Sequence, residues 1–175
     1  MGRDEGEAPS DDSASAPPRR LRPAQLLATL ARHGVEHVVI GGYALAAHGY
    51  VRATKDIDIV PAPTPQNLAK LAAALLELEA RTEIGDLDAD EPGLQPDEEG
   101  LRAGGNWVLQ TRFGRLDVMQ DVPGLRDYEQ LRARALDVNG VMYAGYEELI
   151  SMKSASAREE DLRDIGALEA ARRSG

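Results

Sequence analysis

The stretch that decides the fold is Ile40-Gly-Gly-Tyr-Ala-Leu-Ala-Ala-His-Gly-Tyr-Val-Arg-Ala-Thr-Lys-Asp-Ile-Asp-Ile59. The apolar run His37-Val-Val-Ile40 leads into it and predicts a short strand, and Asp56-Ile-Asp-Ile-Val60 predicts a second strand. The Gly-Gly pair separates the first strand from an Ala-rich segment, Tyr43 to His48, that predicts a short helix. The stretch therefore predicts a strand, a glycine turn, a helix and a second strand in succession.

The second strand carries two carboxylates two residues apart. Because side chains alternate between the faces of a strand, Asp56 and Asp58 project from one face, while Ile57 and Ile59 point into the core. Two carboxylates held side by side repel each other, and a divalent cation between or beside them is the best explanation of the pair. The bland alternative is a solvated pair on an exposed strand.

A third carboxylate lies in a later strand-like run, Arg115-Leu-Asp-Val-Met119. Leu116 and Val118 take the core face of that run, which leaves Asp117 on the opposite face. If this strand neighbours the first Asp-x-Asp strand, three carboxylates converge. That is the arrangement that a two-metal phosphoryl-transfer site requires.

Outward from this unit the sequence predicts alternating helices and strands. The Asn139-Gly140 pair between two apolar runs is a strong hairpin signal. The remaining expected elements are a helix from Pro23 to Gly34, a Thr64-capped helix to about Glu79, a hairpin over 106–119, a helix over 127–134 and helical structure over 145–172 in one or two pieces. This pattern predicts an α/β (α+β) fold, with a mixed β-sheet flanked by helices and a C-terminal helical segment.

Composition limits the possible classes of function. The chain has 175 residues, and its 42% hydrophobic content suffices for one core of mainly aliphatic side chains. It has no Cys, which excludes a disulfide scaffold and a Cys-ligated metal site. The net charge of −10 argues against a broad nonspecific grip on a nucleic acid backbone. No stretch is long and apolar enough to cross a membrane, and the N-terminus has no secretory h-region, so we expect a cytoplasmic protein.

The expected domain organisation is simple. Residues 1–20 form an acidic, Pro- and Ser-containing segment that we expect to be a disordered tail, and residues 21–175 form a single domain. Within that domain we expect a mobile acidic loop over residues 85–104, since residues 85–100 carry seven acidic side chains and no apolar period.

The quoted stretch resembles the signature of the polymerase-β-like nucleotidyltransferase superfamily: a hydrophobic residue, Gly, Gly or Ser, a spacer and then Asp-x-Asp. Within it, the Arg52-x-Thr54-x-Asp56-x-Asp58 run and the C-terminal helix resemble the minimal and AbiEii-type nucleotidyltransferases of bacterial toxin–antitoxin systems. The resemblance covers roughly Pro23 to Arg172. It implies a nucleotidyltransferase fold and transfer of a nucleoside monophosphate from an NTP, dependent on Mg²⁺ (or Mn²⁺), with release of pyrophosphate.

The same resemblance assigns roles to single residues. Asp56 and Asp58 match the metal-binding pair, and Asp117 matches the third carboxylate, a base or metal ligand near the acceptor hydroxyl. Gly41 and Gly42 match the phosphate loop. Many members carry Ser at the position of Gly42, so here only backbone N–H groups serve, and one phosphate contact is missing or replaced.

Further nucleotide contacts are expected on both sides of the signature. Arg52, Thr54 and Lys55 are candidates for phosphate or base contacts, and equally for an ordinary polar loop. The C-terminal run resembles the AbiEii-type order of Lys, then Arg, then Asp. These positions are Lys153, expected to meet the NTP phosphates, and the candidate nucleotide-binding residues Arg158, Asp161 and Asp164. On one continuous helix, Arg158 would lie about 140° from Lys153, unless the helix breaks near residues 154–157. An exposed ion-pair ladder is the alternative for the last three.

The leading hypothesis is a toxin–antitoxin-type nucleotidyltransferase whose acceptor is an RNA end, such as a tRNA 3′ end, or a hydroxyl of a partner protein. The net negative charge of the chain favours a protein or small-molecule acceptor over RNA. A small-molecule (antibiotic) nucleotidyltransferase is a second enzymatic alternative. The alternative from another class is a non-catalytic binding or antitoxin module. A cognate toxin or antitoxin, and a homodimer, are the expected protein partners, and no membrane partner is expected.

Overall fold

The computed structural model of the chain describes residues 20–82 and 95–174. Almost all of the expected N-terminal tail, and the first ten residues of the expected acidic loop, lie outside the described residues. Seven strands of the described part form one mixed sheet in the order β3-β4-β5-β2-β1-β7-β6. The strands are β1 His37–Ile40, β2 Asp56–Pro61, β3 Arg81–Thr82, β4 Trp107–Thr111, β5 Gly114–Val118, β6 Leu136–Val138 and β7 Val141–Tyr143.

Seven helices accompany the sheet in the described residues. They are α1 Pro23–Arg32, α2 Gly41–Ala47, α3 Pro65–Glu77, α4 Glu98–Ala103, α5 Tyr128–Ala133, α6 Tyr146–Ser156 and α7 Glu159–Ser174. Several begin where the sequence indicates: Thr64 caps α3 by accepting a hydrogen bond from the Asn67 N–H, with Pro65 in the first turn. The expected mixed α/β sheet with a C-terminal helical segment is therefore confirmed.

The centre of the sheet places the carboxylates. Strand β2 lies between β1, with which it is antiparallel, and β5, with which it is parallel. In this register Asp58 lies directly opposite Asp117, and Asp56 lies opposite Arg115. The two carboxylate-bearing strands are thus immediate neighbours, as the convergence of three carboxylates requires.

Two buried apolar clusters lie on the two faces of the sheet. Val39, Ile57 and Ile59 belong to a cluster with α1, α3 and α4, whereas Val38 and Ile40 belong to a cluster with α2, α5, α6 and α7. Because Ile57 and Ile59 are fully buried on the first face, the alternating Asp56 and Asp58 project on the second face. The site therefore opens on the side of the sheet that carries the C-terminal helices.

Three local features differ from the sequence expectations or refine them. Residues 98–103, expected to be part of the loop over 85–104, form helix α4, because the Asp97 side chain caps the Gly100 N–H and Leu101 is fully buried in the core. The helix after β1 begins at Gly41, two residues earlier than predicted. The C-terminal helical segment is two helices, separated at Ala157, which adopts a left-handed conformation with φ of +49°.

No helix in the described ranges is both long enough and apolar enough to span a bilayer.

Candidate active site

The first wall of the site is the pair of neighbouring strands β2 and β5. Asp117 is buried, with 7% of its surface exposed, and Asp56 and Asp58 are half-buried. Backbone pairing fixes the strand positions of all three carboxylates, because both strands are hydrogen-bonded in the middle of the sheet.

Gly41 brings the backbone against one of these carboxylates. A Cβ atom at this position would lie only 2.1 Å from Oδ2 of Asp58, and the residue has φ of +63°. Both facts require glycine here, because a side chain would displace the carboxylate and would strain the backbone. The first glycine of the Gly-Gly pair therefore shapes the carboxylate site as well as the turn.

Gly42 is packed against Thr54. A Cβ atom at Gly42 would lie 3.0 Å from the Thr54 Cβ and 3.1 Å from its hydroxyl oxygen. That hydroxyl lies 3.0 Å from Oδ1 of Asp56, to which it donates a hydrogen bond. Thr54 thus occupies the space that a larger residue 42 would take, and it orients one carboxylate of the pair.

Arg115 is a cation at the carboxylate cluster whose role the sequence pattern did not predict. Its Nε and Nη2 donate to Oδ1 and Oδ2 of Asp117 at 2.9 and 3.0 Å, and its Nε lies 3.8 Å from Oδ2 of Asp56. The signal was present in the sequence: Arg115 stands two residues before Asp117, so strand alternation places both on one face.

Lys153 on α6 forms a second charged cluster with α7. Its Nζ donates to Oδ1 of Asp161 at 3.1 Å and to Oδ2 of Asp164 at 2.6 Å. All three residues are at least nine-tenths buried. Buried charges of this kind are stable only when they are paired and hydrogen-bonded, as these are.

Two arginines extend this cluster towards solvent. Arg52 donates through Nε and Nη2 to both oxygens of Asp164, at 3.0 and 3.2 Å, and pairs with Glu160. Arg158 donates through Nε to Oδ2 of Asp161 at 2.8 Å, and its side chain is 73% exposed. The loop before β2 is thereby tied to α7.

The break at Ala157 makes these contacts possible. On a continuous helix, Lys153 and Asp164 would be separated by about 16 Å along the axis. Instead α7 packs against α6 after the left-handed residue, and the two side chains meet. The contact of Lys153 with the two aspartates therefore depends on the helix break and not on helical periodicity.

The two charged clusters line one cavity of about 490 Å³, within the range of roughly 300–1,000 Å³ that is typical of small-molecule sites. All of the predicted site residues except Asp164 line this cavity. Asp164 lies behind Arg52 and Lys153 and accepts hydrogen bonds from both. The lining includes five basic and five acidic side chains, so the cavity is locally balanced although the chain carries −10. Apolar side chains complete the wall: Ile40, Met119, Val122, Pro123, Leu149 and Met152.

Electrostatics distinguish two of the carboxylates. Burial, reinforced by the charges of Asp56 and Asp117, raises the pKa of Asp58 to about 7. Burial also acts to raise the pKa of Asp161, but hydrogen bonds from Arg158, Lys153 and Ser156 outweigh it and lower that pKa to about 2. Asp58 is thus a carboxylate without enough positive charge around it, and Asp161 is one that is fully compensated.

The donor set at the sheet suits a hard divalent cation, because carboxylate oxygens are the ligands that Mg²⁺ and Mn²⁺ prefer. Yet within residues 20–82 and 95–174 no three carboxylate, His or Cys side chains are gathered as a preformed metal cluster. In the same site, Arg115 Nε lies 2.9 Å from Oδ1 of Asp117. The unsatisfied Asp58 beside Asp56 is the part of the site that fits a cation.

Solved structures share this architecture. The fold is a nucleotidyltransferase fold. The crystal structure of ANT(2″)-Ia with adenylyl-2″-tobramycin matches with a TM-score of 0.50 and 14% identity, over 86% of this chain and 92% of that chain. The lincosamide antibiotic adenylyltransferase LnuA, with lincomycin bound, matches with a TM-score of 0.53 and 13% identity, over 87% and 99%.

A solution structure of ANT(2″)-Ia matches with a TM-score of 0.51 and 18% identity, over 86% of this chain and 89% of that chain. No protein-family model and no curated protein sequence matches the chain. The structural likeness, at these identities, establishes the fold that the sequence resemblance implied.

Proposed function

We propose that the chain is a Mg²⁺-dependent nucleotidyltransferase that moves a nucleoside monophosphate from an NTP to an acceptor hydroxyl. The observation that carries this proposal is the meeting of two charge clusters in one cavity. Asp58 and Asp117 lie opposite each other on β2 and β5, and Lys153 faces the same space from α6. Phosphoryl transfer needs carboxylates that bind a metal ion, and it needs basic side chains beside them that bind the triphosphate.

Asp56 and Asp58 are the residues that would hold the cation. Mg²⁺, or Mn²⁺, would there neutralise phosphate charge and activate the attacking hydroxyl. The raised pKa of Asp58 supports this assignment, because a half-buried carboxylate with uncompensated charge gains most from a bound cation. Gly41 has no side chain, so the Asp58 carboxylate can occupy this position without a steric clash.

The triphosphate is assigned to the basic residues of the cavity. Lys153 is held rigidly by two buried aspartates, so it presents a positioned ammonium group. Arg158 and Lys55 are exposed at the cavity and supply further positive charge, and Arg52 is fixed by Asp164. The N–H groups near Gly42 complete the phosphate loop.

Asp117 is the proposed proton acceptor. The acceptor hydroxyl oxygen bonds to the α-phosphorus, the bond from that phosphorus to the bridging oxygen breaks, and pyrophosphate leaves with those electrons. The hydroxyl proton passes to a carboxylate oxygen of Asp117. The register of β5 supports this role, because it sets Asp117 directly beside Asp58.

For the acceptor we propose an RNA end, such as a tRNA 3′ end, or a hydroxyl of a partner protein, in an AbiEii-like toxin–antitoxin setting in the cytoplasm. The resemblance of the Arg-x-Thr-x-Asp-x-Asp run and of the C-terminal segment supports it. A small-molecule acceptor is the second candidate, and one observation favours it: two of the similar structures contain an antibiotic or its adenylylated form. A homodimer that completes the acceptor groove is part of the same proposal.

Label transfer tests the proposal. Purified protein is incubated with Mg²⁺, each of four α-labelled NTPs, and separate RNA, protein and small-molecule fractions of a cell extract. We expect label in one fraction, dependent on Mg²⁺, with Asp58→Asn inactive and Asp121→Asn, an exposed carboxylate outside the cavity, fully active. Absence of both transfer and Mg²⁺-dependent NTP binding would overturn the proposal in favour of a non-catalytic module.

A further inference from the structure

We propose that Arg115 takes the place of a second divalent cation. With one cation bound at Asp56 and Asp58, its guanidinium stays on Asp117, and a second cation binds only by displacing it. This inference rests on the proposed function, because it assumes that the first cation binds at Asp56 and Asp58. In the resting enzyme, the site then binds one metal ion, and the Arg115 guanidinium supplies the second positive charge.

The guanidinium lies between two of the three carboxylates, Asp117 and Asp56. Its fork engages both oxygens of Asp117 at 2.9 and 3.0 Å, and its Nε lies 3.8 Å from Asp56. Strand pairing enforces this position, since Arg115 is directly opposite Asp56 across β2 and β5. Bidentate contacts of this kind are the strongest that an arginine makes with a carboxylate.

Asp58 is the carboxylate of the three for which the structure shows no ion pair with the Arg115 guanidinium. It makes no ion pair with any residue in the part of the chain that the structure describes, and Gly41 packs closely against it. The arginine therefore divides the three carboxylates unequally: Asp117 is paired, Asp56 is shared and Asp58 is uncompensated. A first cation binds where negative charge is in excess, at Asp58 and Asp56.

No preformed three-carboxylate cluster exists among the described residues. A second cation at Asp117 meets the positive charge of Arg115 at close range. Even with the screening of bulk water, a positive charge about 4 Å from a divalent cation weakens its binding by more than tenfold. The two cation affinities should therefore be well separated in the native chain.

The test is a Mn²⁺ titration followed by electron paramagnetic resonance of the free ion. The wild-type chain should bind one Mn²⁺ per chain, with a second at least tenfold weaker. Arg115→Gln should tighten the second site at least tenfold, whereas Arg115→Lys, which keeps the charge, should leave it weak. Arg112→Gln is the matched control, because it removes the same charge from the same hairpin, outside the cavity.

Two results would overturn the inference while the proposed function stands: two equally tight sites in the wild type, or an Arg115→Gln isotherm identical to that of the wild type. Failure of the proposed function looks different, because the wild type would then bind no Mn²⁺, or would bind it equally after Asp58→Asn.

A measurement on the wild-type chain guards against a folding defect in the variant. The ¹⁵N-labelled Arg115 Nε–H signal, assigned by its loss in Arg115→Lys, is followed during a Mg²⁺ titration. It should stay protected from exchange at one equivalent and lose protection only at Mg²⁺ concentrations at least tenfold higher. Loss of protection with the first equivalent would contradict the proposal.

Discussion

Replacing Asp58 by Asn should make the metal-free protein more stable at pH 8 while it abolishes activity. The reason is the environment of this half-buried carboxylate: burial, together with the charges of Asp56 and Asp117, raises its pKa from an ordinary 3.8 to about 7. Asn has nearly the same shape and carries no charge, so it removes the repulsion and keeps the packing against Gly41.

The sign and size of the effect follow from linkage. A folded-state pKa above the unfolded value means that the native chain binds the extra proton between about pH 4 and pH 7. The free energy of unfolding therefore falls as pH rises through this window, and the full loss is reached above pH 7. A pKa raised by about three corresponds to ~4 kcal/mol as an upper bound. We expect Asp58→Asn to recover roughly half of it, about 2 kcal/mol, which is about 4–8 °C in melting temperature for a chain of this size.

The assay is thermal and urea unfolding followed by circular dichroism in EDTA, at pH 5 and pH 8. The stabilisation should be large at pH 8 and small at pH 5, and Asp121→Asn, at an exposed position, should change neither value. Added Mg²⁺ should stabilise the wild type at pH 8 and leave Asp58→Asn unchanged. An Asn variant that is no more stable than the wild type at pH 8, or equally stabilised at both pH values, would refute the reasoning.

Three further predictions concern the rest of the cavity. Gly41→Ala should cost at least about 2 kcal/mol of stability and nearly all activity, whereas Gly49→Ala, with positive φ but open space around it, should cost about 1 kcal/mol and spare activity, as unfolding and label-transfer assays would show. Lys153→Met should abolish transfer and cost about 1–3 kcal/mol, because two buried aspartates each keep one arginine but lose the ammonium group; an unchanged melting temperature would contradict this. Thr54→Val should weaken Mn²⁺ binding several-fold and Thr54→Ser should not, because the hydroxyl orients a cation-binding carboxylate; equal affinities would count against that role.

The face of each carboxylate could be predicted from the sequence. The period of two along β2 places Asp56 and Asp58 opposite the fully buried Ile57 and Ile59, and the structure has this arrangement. The same rule placed Asp117 away from Leu116 and Val118. What alternation could not supply was the order of the strands, since pairing between β2 and β5 joins segments far apart in the chain.

The contacts of the C-terminal helices depended on one backbone angle. Nothing in Lys153-Ser-Ala-Ser-Ala-Arg158 marks Ala157 as left-handed, because alanine favours helix and glycine is the usual residue at such a position. Without that break, Asp161 and Asp164 are distant from Lys153. The sequence could therefore name the participants but not the buried cluster that they form.

Helix α4 was missed because composition dominated the interpretation of the acidic segment. A closer look at Asp97 as a helix cap and at Leu101 as an apolar anchor would have indicated a short helix there. Arg115 was missed for a different reason: clustered carboxylates indicate a bound cation, whereas here the chain itself supplies one.

The proposed function requires that Asp56 and Asp58 hold a catalytic cation beside a triphosphate bound at Lys153. Anomalous diffraction from crystals grown with Mn²⁺ and a non-hydrolysable NTP analogue tests it most directly. We expect an Mn²⁺ peak ligated by Asp56 and Asp58, with phosphate oxygens within hydrogen-bonding distance of Lys153. An analogue bound outside this cavity, or Mn²⁺ at other residues, would contradict it.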